Sequence, residues 1–118
     1  MAAEKILRTQ SAGEEAANTI SHGVGALLAL AGALPLAARG IKTGSAKTAF
    51  SLAAYGFSLV LLYTASAVYH AARRPAVKRA LRVMDHCSIF VLILGTYIPM
   101  SLLVVGGRTG WMLFLTNT

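Results

Sequence analysis

At 118 residues the chain has room for one core, but 56% of its residues are hydrophobic and only 13% are charged, too few to cover a soluble domain. The net charge of +7 would suit a nucleic-acid partner, yet nearly all Lys and Arg stand in short segments between apolar runs, and no basic stripe interleaved with aromatics occurs. The balance argues against nucleic acid and for an integral membrane protein whose partner is the lipid bilayer. Cys87 is the single cysteine, which rules out an internal disulfide or a cysteine-based zinc motif. It reads as a small buried apolar residue.

Ahead of the first apolar run, Ser11-Ala12-Gly13-Glu14 fits a capping box that starts a helix before the membrane. Glu14 and Glu15 stand where a secretory signal would carry its basic segment, so the N-terminus does not read as a cleaved signal peptide. A first span is expected from about Ile20 to Ala38, roughly 28 Å at 1.5 Å per residue, with Pro35 tolerated near its end. The polar turn RGIKTGSAKT, residues 39–48, leads to a second span over about 49–72. A basic loop, RRPAVKRALR, carries five positive charges over residues 73–82. A third span follows over about 83–105, then the turn GGRTG, and Trp111 opens an incomplete fourth span, WMLFL.

The expected fold is therefore all-α: one membrane domain over residues 1–118, a polytopic transmembrane helix bundle of three spans plus the start of a fourth, cut short after the third span. The most basic loop, between spans two and three, is expected in the cytoplasm, and the N-terminus with it. Arg39, Lys42 and Lys47 on the outer turn run against that rule. The expected location is a cell inner membrane or plasma membrane, crossed several times.

Polar residues interrupt this pattern at one depth. Tyr55, Tyr63, Ser66 and His70, with Leu59 completing the row, recur at helical spacing on span two. Glu15, Asn18 and His22 share a face at the entry of span one, and Asp85 falls in the expected first turn of span three. Lipid satisfies neither imidazole nor carboxylate, so such residues are expected to turn inward, toward one pocket at the inner leaflet. Plainer readings stand beside this one. His70 also reads as a boundary histidine reaching water, and Asp85 as an ion-pair partner of Arg82 or a favourable charge at a helix start. His22 and Asn18 also read as interhelical glue. His86 points about 100° away from Asp85 and suits a structural hydrogen bond. Tyr97 and Pro99 read as shaping the helix. As metal ligands, His70 and Asp85 are too few, since a catalytic zinc takes three protein ligands and an open position.

The segments EEAANTISHGVG (14–25), SAVYH (66–70) and DHCSIFVLILGTYIP (85–99) resemble the hemolysin III family, the bacterial branch of the progestin and adipoQ receptor superfamily. The resemblance covers nearly the whole chain in order. It implies a seven-helix membrane protein with a cytoplasmic N-terminus, of which this chain would be a part, and kinship with membrane hydrolases that include alkaline ceramidases. In that group the His of Ser-x-x-x-His and two histidines of a His-x-x-x-His on the last helix hold zinc. The resemblance makes His70 the metal ligand, Asp85 the group that holds or deprotonates the water at the metal, and Ser66 a supporting hydrogen-bond partner. The chain departs from the pattern in having no His-x-x-x-His. A homo-oligomer contributing a second His70 is one way to add a ligand.

Three functional readings follow: a zinc-dependent membrane hydrolase cleaving an amide in a lipid substrate, a pore-forming cytolytic protein, and a receptor-like membrane-stress sensor without catalysis.

Overall fold

The computed structural model describes residues 10–117, and among them there is helix but no strand. Helix α1 spans Ala12–Lys42, α2 Ala46–Ala71 and α3 Pro75–Pro99. A π-helical segment, Met100–Val105, continues α3, and a short α4 covers Gly107–Asn117. Three of these elements, α1, α2 and α3 with its π-helical extension, are long and apolar enough to cross a membrane. The chain is a multi-pass membrane protein of three spanning helices and a shorter fourth helix.

The helices begin where local chemistry satisfies their first amide groups. Ser11 and Glu14 form the reciprocal capping box: the Glu14 amide donates to Ser11 Oγ at 3.2 Å and the Ser11 amide to Glu14 Oε2 at 2.7 Å. Ser45 caps α2 through the Thr48 amide, at 3.2 Å. Helix α3 opens with Pro75 in its first turn, where the missing N–H is no loss and the ring pre-sets the helical φ. That proline shortens the expected basic loop. Most of residues 73–82 lie in the first turns of α3 rather than in a connection, and Asp85 sits ten residues into the helix instead of in its first turn. Similarly, α4 starts at Gly107, ahead of Trp111.

With 31 residues, α1 is roughly 46 Å long, well beyond the ~30 Å of bilayer hydrocarbon. That length leaves room for both Glu15 and the Arg39–Lys42 pair to lie outside a hydrocarbon layer. Helix α2 lies against both α1 and α3, and α4 folds back onto the π-helical segment. The Tyr97 hydroxyl donates to the Leu113 carbonyl of α4 at 3.3 Å.

Packing is inverted relative to a water-soluble protein. Leu27, Leu28, Phe57 and Phe90 are each about two-thirds exposed, at 69, 68, 66 and 72%. The buried positions are instead Ser51, Ser58, Ser66, Ser88 and Ser101 and the glycines at 40, 56, 95 and 110, with Ala29, Ile98 and Leu102. Large apolar side chains stay on the outside of the bundle, and small ones let helix backbones approach. Cys87, expected to be buried, is on the exposed side of α3; thiols this apolar are as compatible with lipid as with a core. Between α2 and α3 the approach is close at Gly95, where a Cβ would run into the Ser58 side chain and come within 3.2 Å of the Ala54 carbonyl.

Pro99 ends regular α-helical pairing. It lacks the amide donor and its ring crowds the carbonyl four residues back, and the chain relaxes into the wider i→i+5 pattern, closed by Gly106 N–H to the Ser101 carbonyl at 3.0 Å. This agrees with the shaping role expected for Pro99.

Replacing Gly95 by Val is expected to destabilise the protein by about 1–3 kcal/mol through overpacking against Ser58. Gly32→Ala, where nothing lies within 4 Å of the added methyl, is expected to be neutral or mildly stabilising. Thermal unfolding of the purified protein in one detergent checks both.

Candidate functional site

The polar residues of the three spanning helices meet at the end of the bundle where α1 begins, α2 finishes and α3 starts. Glu15, in the first turn of α1, is the centre. Its Oε2 accepts from His70 Nδ1 of α2 at 3.1 Å and from Lys78 Nζ of α3 at 2.9 Å. One carboxylate oxygen thus joins three helices. Lys78 spends its other donors on the C-terminal end of α2, on the carbonyls of Tyr69 at 3.2 Å and Ala72 at 3.4 Å, and lies 4.7 Å over the Tyr69 ring. All three side chains are partly shielded, with His70 at 10% exposure, Glu15 at 20% and Lys78 at 27%.

A second layer lies deeper. His22 Nδ1 and Ser66 Oγ are hydrogen-bonded between α1 and α2. The His22 ring stands edge-on to His70 at 5.6 Å and to Tyr63 at 6.1 Å. Tyr63 closes over Gly25, where a Cβ would come within 2.6 Å of the tyrosine ring. Ser66 differs from the other buried serines. Ser51, Ser58, Ser88 and Ser101 each donate to a carbonyl one turn back, whereas the Ser66 hydroxyl reaches another helix.

Asp85 belongs to this deeper layer by register. It stands seven residues beyond Lys78, so it lies on the same face of α3, roughly 10 Å further along the axis. His22 stands the same seven residues beyond Glu15 on α1. Asp85 is half-buried, and its carboxylate has no hydrogen-bond or ion-pair partner among the described residues, so the Arg82 ion pair does not form there. The other expected members stand apart. The Asn18 amide bonds Gln10 at 3.1 Å. The exposed His86 Nδ1 bonds the Arg82 carbonyl at 2.8 Å, a structural bond within its own helix.

The geometry of His70 has a chemical consequence. An ionised carboxylate only accepts, so Nδ1 carries the proton and donates to Glu15. In the neutral imidazole Nε2 is then the free base, the tautomer in which a carboxylate-oriented histidine serves as a metal ligand or proton acceptor. A zinc site needs more. Among the described residues no three His, Cys, Asp or Glu side chains are grouped to hold a metal ion. The donor set present does not by itself fit zinc.

Lys78 was hidden from sequence reasoning by its place in a run of five basic residues that reads as a topology signal. The usable signal was Pro75: read as the first residue of a helix, it puts Lys78 one turn in, beside the end of α2.

The His22–Ser66 bond is expected to couple the two residues by about 0.5–1.5 kcal/mol in a double-mutant cycle of His22→Ala and Ser66→Ala, read from unfolding in detergent. Lys78→Met is expected to lower the melting temperature more than Lys78→Arg, because the carboxylate of Glu15 loses its one permanent cation.

Comparison with known proteins matches this chain to one family. The family model described as haemolysin-III related matches residues 10–118. Hemolysin-3 of Bacillus cereus is 39% identical over 111 residues, covering 93% of this chain and 51% of that protein. The Hemolysin-3 homolog of Bacillus subtilis (strain 168) is 37% identical over 102 residues, covering 86% of this chain and 48% of its own length. The chain thus spans about half the length of the curated relatives it matches, and no solved structure matches it. With three helices long and apolar enough to cross a membrane and the family model matched from residue 10 onward, the chain is a member of the haemolysin-III related family.

Proposed function

We propose that the polar cluster is one part of a zinc-dependent hydrolase site that cleaves an amide in a lipid, at the cytoplasmic face of a cell inner or plasma membrane. The observation that carries this reading is the 3.1 Å bond from His70 Nδ1 to Glu15, which leaves Nε2 as the basic nitrogen. His70 is the ligand this segment contributes, and Asp85 the carboxylate that manages a water proton. Ser66 steadies the layer between them through His22. The remaining ligands come from elsewhere in the whole protein or from a second copy of the chain, since the donors present here do not complete a zinc site. Within this segment the chemistry is one of orientation: Lys78 fixes Glu15, Glu15 fixes the tautomer of His70, and the helices hold Asp85 on the same side of α3 as Lys78.

The test uses the whole protein in detergent with its native lipids. About one zinc per chain is expected by elemental mass spectrometry, lost in His70→Ala. Asp85→Asn is expected to keep the metal and slow hydrolysis of an amide-linked sphingolipid about 100-fold or more. A folded parent protein that binds no zinc under metal-replete conditions would sink the reading.

The relatives' name, Hemolysin-3, favours a second reading, membrane lysis without catalysis. Dye release from liposomes that persists undiminished in Asp85→Asn, with no lipid turned over, is the outcome that selects it. A receptor-like stress sensor would show neither turnover nor leakage.

A further inference from the structure

Beside the cluster, an open groove of about 690 Å³ runs between the start of α1 and the α2–α3 connection. One wall is the face of α1 that carries Ala12, Ala16 and Ile20, spaced i, i+4, i+8 and so aligned over roughly 12 Å. Ala71 at the end of α2 forms part of the opposite wall, and Arg73 stands at the rim. The lining is mostly apolar, and Ile20 is 67% exposed.

The charges around the groove are unequal. Residues 73–82 hold five cations and no acid. Glu15, the carboxylate in the groove, is already matched by Lys78 and His70. The Arg73 guanidinium has no hydrogen-bond or ion-pair partner among the described residues, and neither do those of Arg74, Arg79 and Arg82. The unpaired guanidinium of Arg73 beside a mostly apolar lining is complementary to a molecule with an anionic head and an apolar tail.

We propose that this groove binds an anionic phospholipid, with Arg73 on the phosphate and the glycerol and first acyl carbons along Ala12, Ala16 and Ile20. A soluble phosphate would use the guanidinium and leave the apolar wall without function; a zwitterionic lipid would bring its own cation toward a rim that is already positive. Arg suits the role better than Lys because its planar fork meets two phosphate oxygens at once. Glu15, His70 and Lys78 of the polar cluster also line the groove, but the lipid contacts proposed here, Arg73 and the α1 wall, are not groups the hydrolase reading uses, so the proposal stands whether or not the whole protein is an enzyme. It also gives the basic segment a task beyond setting topology.

Native mass spectrometry of the full chain, released from micelles containing phosphatidylglycerol and phosphatidylcholine of identical acyl chains, tests the proposal. The parent protein is expected to retain phosphatidylglycerol over phosphatidylcholine, and Arg73→Gln to lower that preference about fivefold. Arg73→Lys is expected to recover part of it. Arg39→Gln with Lys42→Gln, at the far end of α1, removes two positive charges away from the groove and is expected to leave the preference intact. Arg73 is exposed, so Arg73→Gln is expected to melt with the parent. Equal retention of the two lipids by the parent overturns the proposal. So does a loss in the Arg39/Lys42 variant that matches the loss in Arg73→Gln, because the effect would then be general charge. Inorganic phosphate that displaces phosphatidylglycerol at equal concentration would assign the site to a free anion and overturn the lipid.

Discussion

One carboxylate oxygen, Oε2 of Glu15, organises the cytoplasm-proximal end proposed for this bundle. It is the acceptor shared by α2, through His70, and α3, through Lys78. Helices in lipid gain little from hydrophobic burial against each other, because acyl chains are as apolar as leucine; what selects a particular pairing is close packing and the few polar bonds between helices. Here a single anion sets the register of three helices at once. Removing it would leave a histidine and a lysine facing each other with nothing between them, an arrangement that favours separation of the helix ends.

The same economy runs through the interior. The buried positions are dominated by serine and glycine, while most leucines and phenylalanines cover the outside. Most of the buried hydroxyls are internally neutralised by a carbonyl one turn back, which lets them serve as small packing residues at no polar cost. Ser66 breaks the habit by bonding His22. That break marks the place where the interior turns from packing to chemistry, one turn below His70.

Much of this was legible in the residues. Apolar runs of the right length announced the spans, and the capping box at Ser11 announced where α1 begins. The helical spacing of Ser66 and His70 and of Glu15 and His22 put each pair on one face, and in the structure the two faces meet. What stayed hidden has physical causes. A run of basic residues reads as a loop under the positive-inside rule, yet Pro75 is an equally good helix opener, and the difference moves Asp85 by more than two turns. A lysine among five cations carries no individual mark; Lys78 is distinguished only by which carboxylate it meets, a tertiary fact. Asn18 and His86 share the composition of the cluster but not its geometry, since each finds a nearer partner on its own stretch of chain.

The π-helical segment after Pro99 alters how the third span should be read. An i→i+5 turn holds more residues per revolution than an α-helical one, so the angular phase of side chains slips as the chain passes through Met100–Val105. A helical wheel drawn continuously from Pro75 would therefore assign the wrong residues to lipid beyond Pro99. Any labelling scan of this span would display two periodic waves with a phase jump between them, and the jump would locate the proline.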